Sequence, residues 1–355
     1  MKQRNNTAII LGLVIVGIAL HGGLSWWILQ LLGGEIRPVT SATKEKNPDS
    51  PINLGSNLMQ GFQKTFSEVP NVPVGLFSYG GSTTWSPIRG MVDKPIQAAW
   101  PQFQLRYWEP TQGLPGSGVG IQMVLNDELA FAQSSRSLRT AEYQEASDRG
   151  FALRQIPVAI DGVVIAVNPN LEVSGLTLTQ LAEIYRGKIT NWKAVGGPDL
   201  PIIPYSRALA SGGTVDYFRE QVLQNQPFGN QVQTVRDTTQ ALRRLAQQPG
   251  ALYYASASTV VAQCTVKTLA IGKSPSTLIA PYVTPYIPES DCPQKRNRIA
   301  HDVLKSGQYP LTRRLFVVIK ENGQLDQQAG QAYANLLLTN QGQDLIERAG
   351  FVRIR

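Results

Sequence analysis

Histidine is nearly missing from this chain, with 2 among 355 residues, and that scarcity removes many catalytic chemistries at once. His21 falls in an apolar run, so His301 stands alone in the rest of the sequence. No Cys/His spacing suits zinc. Neither a nucleophile motif nor paired metal-binding Asp residues appear, which argues against a phosphatase or any other enzyme. Charged residues make up only 16% while hydrophobic residues reach 42%, so a disordered or solvating chain is excluded. No segment repeats at a fixed period, which excludes a solenoid. The net charge of +8 admits nucleic acid, anionic membrane or a small anion as partner. Its basic residues are scattered apart from Arg243-Arg244, Arg313-Arg314 and the Lys295 to Arg298 cluster. Without a basic stripe carrying interleaved aromatics, nucleic acid is the weakest of the three.

One long hydrophobic run is present. Met1 to Arg4 is basic, and Ala8 to Leu32 then carries only His21, Ser25 and Gln30 as clearly polar interruptions, long enough to cross a bilayer. Lys2 and Arg4 predict a cytoplasmic N-terminus and export of everything beyond residue 33. Trp26 and Trp27 stand where an interfacial aromatic pair belongs. An uncleaved anchor over 8–32 fits better than a cleavable signal, since Thr40-Ser41-Ala42 makes a poor cleavage site. A buried core helix fits less well still. With no nearby cysteine, a lipid-modified N-terminus is ruled out.

The two cysteines, Cys264 and Cys292, both lie in the part expected outside the cytoplasm. In an oxidising compartment a disulfide is favoured over two unrelated thiols, and in the chain-entropy model it contributes about 3 kcal/mol. Residues 33–70 read as a polar tether, with Leu54, Leu58, Phe62 and Phe66 suggesting a short amphipathic helix or merely the tether's end.

From Val72 onward, short apolar runs alternate with helical segments, the pattern of an α/β protein. Strands are expected at Pro73 to Ser78, Gln104 to Trp108, Leu129 to Ala132, Val163 to Val167, Ile202 to Tyr205, Ala251 to Ala255 and Leu315 to Ile319. Helices fit Leu178 to Tyr185, Val215 to Gln224, Thr238 to Gln247, Gln327 to Leu338 and Gln341 to Arg348.

Small-residue turns follow the strands. They are Gly80-Gly81-Ser82-Thr83-Thr84, Gly116-Ser117-Gly118-Val119-Gly120, Ser134-Ser135-Arg136-Ser137 and Ser211-Gly212-Gly213-Thr214, the last with Arg207 just upstream. A helix N-terminus offers unpaired N–H groups and partial positive charge, and Gly, Ser and Thr there suit an anion. One such turn is usually a plain cap. Four at strand ends, with two arginines, point to a shared anion site at the carboxyl edge of the sheet.

These residues carry a resemblance. The turn at 81–84, Ser117-Gly118-Val119-Gly120, Ser135-Arg136-Ser137-Leu138, Ile160-Asp161-Gly162-Val163, the run Leu181 to Trp192, Arg207 with Ser211 to Thr214, and Ala349-Gly350-Phe351-Val352 are similar to the phosphate-binding proteins of bacterial ABC phosphate importers. The resemblance spans about Val72 to Arg355. It implies a two-lobed type II periplasmic-binding-protein fold behind the transmembrane helix, with lobe one from about 71–160 plus 316–355 and lobe two from about 161–315. The chain would cross near Pro157 to Val167 and return near Pro310 to Ile319. Ser82, Thr83, Thr84, Ser117, Gly118, Ser135 and Arg136 would face the ligand from lobe one, and Arg207, Ser211, Gly212, Gly213 and Thr214 from lobe two.

Two departures stand out. Arg136 occupies a place where well-known phosphate binders carry an Asp that accepts the ligand's proton, and the loop before Thr214 is one residue longer. Asp161 either takes over the acceptor role or pairs with Arg136 or Arg207 to shape the cleft. The resemblance implies an extracytoplasmic monomer that binds a small oxyanion, foremost phosphate, and delivers it to an ABC permease with no cofactor. The alternative is a membrane-tethered sensor or scaffold of the same fold.

Overall fold

The computed structural model describes residues 63–209 and 212–355. The expected membrane segment, the tether to residue 62 and Ser211 lie outside them. Among the described residues no helix is long and apolar enough to cross a membrane.

The elements run in the order β1 (Gly75–Gly81), α1 (Ser86–Ala99), β2 (Phe103–Tyr107), α2 (Ser117–Leu125), β3 (Phe131–Ser134), α3 (Thr140–Asp148), β4 (Ala152–Val167), β5 (Gly175–Thr177) and α4 (Leu178–Tyr185). They continue with β6 (Ile203–Arg207), α5 (Gly213–Gln221), β7 (Gln233–Val235), α6 (Thr238–Gln247), β8 (Ala251–Ser256), α7 (Ala257–Val260) and β9 (Lys267–Gly272). Then come α8 (His301–Lys305), β10 (Thr312–Glu321), α9 (Leu325–Leu337), α10 (Asn340–Arg348) and β11 (Val352–Arg353). Phe66 opens a 3-10 turn, Phe66–Glu68, where the sequence suggested either a short amphipathic helix or the end of the tether.

Strand order is β2-β1-β3-β10-β4-β8-β6-β7, with β11 and β9 also paired to β4 and β5 paired to β9. The pairs β1–β2, β1–β3, β6–β7 and β6–β8 are parallel, as strands joined by helical crossovers must be. β10 runs antiparallel between β3 and β4.

β4 decides the architecture because it belongs to two cores. Its Ala152 to Gly162 stretch pairs with β10, and Val163 to Val167 pair with β8. Around Phe77, Phe103, Phe131, Leu315 and Tyr333 lies one apolar cluster; around Ile165, Leu181, Trp192, Tyr205, Phe218 and Leu269 lies another. A third cluster, Ile121, Val124, Ala146 and Val318, fills the opposite face of the first half's sheet, so helices cover both faces there. The two halves are therefore separate lobes joined through β4 and β10. Between Leu315 and Phe316 the pairing with β4 shifts register at Pro157, a residue with no N–H to offer the ladder. The chain's end touches both cores, Phe351 the first and Val352 the second.

Local signals place several helices. Thr177 Oγ1 accepts from Gln180 N at 3.1 Å while Gln180 Oε1 accepts from Thr177 N at 2.8 Å, a reciprocal cap that starts α4. Asp237 accepts from Gln240 N at 2.8 Å and starts α6. Cys264 and Cys292 form a disulfide with Cα atoms 5.7 Å apart.

Candidate functional site

The carboxyl ends of β1, β3, β6 and β8 converge where the lobes face each other. After β1, Ser82 caps a short 3-10 turn, Thr83–Trp85, its Oγ accepting from Thr84 N at 3.3 Å. Ser82 Oγ also donates to Ser135 Oγ at 2.9 Å, and Ser135 lies 3.2 Å from Ser117 Oγ. Ser117 Oγ in turn accepts from Ser135 N at 3.0 Å. All three serines are buried. They form one polar seam joining β1, β3 and the start of α2.

From the other lobe, α5 points its N-terminus at this seam. Gly212 has φ +102°, a left-handed conformation suited to glycine. A Cβ on Gly212 would lie 2.8 Å from Gly116 Cα, and one on Gly213 would collide with the Ser117 and Ser135 hydroxyls. The N-termini of α2 and α5 thus abut, each with unpaired N–H groups and about half a positive charge.

Beside this junction is a cavity of about 440 Å³ lined by Thr83, Thr84, Arg207, Thr214 and Ser256, among others. Arg207 Nη1 donates to Thr83 Oγ1 at 3.3 Å across the lobes, and Arg207 Nε is buried with no hydrogen-bond partner. Thr84 Oγ1 and Thr214 Oγ1 are 3.2 Å apart.

Arg313 is the residue that sequence reasoning missed, noting it only as half of a basic pair. Its Nη2 donates to Thr84 Oγ1 at 3.2 Å and Thr214 Oγ1 at 3.0 Å, one from each lobe, and Nη1 donates to Gly213 O at 3.3 Å. Nε and Nη2 also donate to Asp161 Oδ2 at 3.0 and 2.8 Å. Asp161 and Arg313 are direct register partners on β4 and β10. That pairing was the one available signal, and reading it requires the strand alignment.

Asp161 therefore pairs with Arg313, where the sequence suggested Arg136 or Arg207. Its Oδ1 accepts from Ser256 Oγ at 2.6 Å, so both carboxylate oxygens are engaged. Burial pushes the Asp161 carboxyl above the ordinary carboxylate range, and Arg313 and Ser256 work against that.

Arg136 is buried beneath Gly118, whose Cβ would meet its Nη2 at 3.2 Å. Its guanidinium is held by Glu142 at 2.6 Å and by Asp216 of α5 at 3.4 Å. It lines a different cavity, of about 830 Å³, on the side where Arg139 bridges to Glu220 at 2.7 Å. Of the expected residues, Thr83, Thr84, Arg207 and Thr214 line the first cavity, and Ser82, Ser117, Ser135, Gly212 and Gly213 form the seam behind it. Among the described residues no His/Cys/Asp/Glu group could hold a metal ion.

Comparisons with known proteins agree with this architecture. Protein SphX of Synechococcus elongatus is 25% identical over 284 residues, 78% of this chain and 77% of its own length. Phosphate-binding protein PstS of Staphylococcus epidermidis is 27% identical over 246 residues, 68% of this chain and 69% of its own length. A protein from Clostridium perfringens solved with bound phosphate superposes with TM-score 0.63 at 22% identity, covering 79% of this chain and all 100% of its own. An ABC-type phosphate transport receptor from Vibrio cholerae gives 0.59 at 22% identity, covering 78% and 99%. Residues 73–341 match the family model described as the PBP superfamily domain, and the chain belongs to that superfamily.

Proposed function

We propose that this chain is an extracytoplasmic binding protein for inorganic phosphate that hands its ligand to an ABC import permease and performs no catalysis. One observation carries the reading. The positive ends of α2 and α5 abut, with Gly212 against Gly116, while Arg207 stands beside them with a buried Nε and no partner for it. Like-signed helix ends repel, so an anion in the cavity beside them turns an electrostatic cost into a gain. The other two arginines at the lobe junction are already engaged by carboxylates, which leaves Arg207 as the fork for the ligand.

In this reading Arg207, Thr83, Thr84, Thr214 and the N–H groups of Ser117, Gly118, Gly213 and Thr214 donate to the oxyanion, with Ser211 on the same loop. Ser82 and Ser135 hold the donors in place, and Asp161 acts through Arg313. Arg136 ties α5 to the first lobe. Charge-assisted hydrogen bonds contribute about 1.5–3 kcal/mol each, so several in one cleft support micromolar or tighter affinity after ordering costs.

The curated relatives named phosphate-binding proteins favour transport over a sensing or scaffolding role. The disulfide supports an oxidising, extracytoplasmic location. Anchoring by residues 8–32 and a monomeric state complete the proposal, since a tether keeps the binder near its permease. Titration calorimetry of the full-length chain with phosphate, sulfate and molybdate tests it. Phosphate should bind tightest, with Arg207→Ala losing about 100-fold, and equal or absent binding of all three would refute it.

A further inference from the structure

The cavity beside Arg207 is larger than a free oxyanion requires. Four oxygens at roughly 30 Å³ each occupy about 120 Å³, against about 440 Å³ between the lobes. That volume falls in the range of sites for small organic ligands. Besides Arg207, Thr83, Thr84 and Thr214, the cavity is lined by Ser86, Asp237, Thr238, Tyr253 and Thr259, four hydroxyls and a carboxylate.

The Asp237, Thr238 and Tyr253 portion of this lining is a built surface. Tyr253 is buried, and its hydroxyl lies 3.2 Å from Thr238 Oγ1. Asp237 is fixed by its cap on α6, Oδ1 accepting from Gln240 N at 2.8 Å, and Oδ2 accepts from Arg236 Nε at 2.9 Å. Each carboxylate oxygen keeps a further lone pair for a donor. The Gln240 N–H and Arg236 hold the Asp237 carboxyl below its usual range, so it is ionised. An ionised carboxylate offers acceptors alone, so it suits a ligand that brings it a donor, whether the P–OH of a monoprotonated phosphate or a hydroxyl beyond it. It serves a ligand whose anionic head sits at Arg207 and whose other end donates hydrogen bonds.

We propose that the cleft accepts short hydroxylated phosphate monoesters as well as the free anion, with the phosphoryl group on Arg207, Thr83, Thr84 and Thr214 and the substituent's hydroxyls on Asp237 and Thr238. This rests on the oxyanion reading and extends it to a substrate class. Ser86 and Thr259 line the cavity from opposite lobes, so the substituent, like the head, would lie between the two lobes.

The test is calorimetry of the full-length chain with inorganic phosphate, glycerol 3-phosphate and ethyl phosphate, repeated on Asp237→Asn. Asparagine is as good a helix cap as aspartate, so α6 keeps its start. Glycerol 3-phosphate should bind within tenfold of phosphate and at least fivefold tighter than ethyl phosphate, which carries no hydroxyl. In Asp237→Asn glycerol 3-phosphate should weaken about tenfold, while inorganic phosphate, relieved of a neighbouring negative charge, should hold or tighten. Phosphate binding with glycerol 3-phosphate more than 100-fold weaker, or no different from ethyl phosphate, overturns the ester proposal alone. A variant that weakens phosphate and glycerol 3-phosphate equally does the same. Failure of all three ligands overturns the oxyanion reading along with it.

Discussion

At the scale of single residues, the most consequential pair is Arg313 with Asp161, both almost wholly withdrawn from water. A buried ion pair does little for net stability, but removing one partner leaves the other charge uncompensated at about 3–5 kcal/mol. Arg313→Met should therefore lower unfolding free energy by about that much in denaturant titration, and Arg313→Met with Asp161→Asn should recover most of it. The pH dependence gives a second check. Burial already raises the Asp161 carboxyl, and losing Arg313 raises it further, so the folded variant binds a proton that the unfolded chain does not. More protons in the folded state mean stability that falls as pH rises above the unfolded carboxylate pKa. The single variant's deficit should shrink as the solution is acidified through the folded pKa, and a deficit independent of pH would exclude this account.

Among the elements, α5 matters most because its first turn closes the cleft. A methyl group at Gly213 would strike Ser117 and Ser135 of the first lobe, whereas Tyr217 and Phe218 further along the helix pack into the second lobe's own core. Gly213→Ala should leave the melting temperature nearly unchanged while phosphate affinity drops at least tenfold by calorimetry. A variant that binds normally would show that the seam does not close on the ligand.

The same contrast explains what sequence reading can reach. α4 and α6 announce themselves through Thr177 and Asp237 caps followed by amphipathic runs, and both are found at Leu178–Tyr185 and Thr238–Gln247. α1 hides because Gly90 and Pro95 interrupt its pattern, although Ile88, Val92 and Ile96 bury one face. The strand-end turns are legible because four of them recur together with two arginines, which plain helix caps do not require. Asp161's partner is not legible, because Arg313 lies 152 positions away and meets it only through strand register.

For the whole molecule, closure is the property that links structure to function. Among the described residues the lobes share β4, β10 and the C-terminal strand, so bending where β4 leaves the first core after Ala159 and enters the second at Val163 can separate them with little disturbance of either core. On one rim, Arg139 of the first lobe bridges to Glu220 and, at 3.5 Å, to Asp216 of α5. On the inner side two positive helix ends meet, and in the proposed reading an anion beside them offsets their repulsion. The closed arrangement thus combines the contacts of Arg136, Arg207 and Arg313 across the lobes with a partly exposed ion pair, and exposed pairs contribute about 0.2–1 kcal/mol and weaken with salt. Glu220→Gln should accordingly speed phosphate release up to about fivefold in stopped-flow measurements at low ionic strength, with association nearly unchanged. At high salt the difference from the parent chain should vanish, because screening already removes what the substitution removes. Release that is equally fast in both proteins at low salt would mean that this rim does not hold the lobes together.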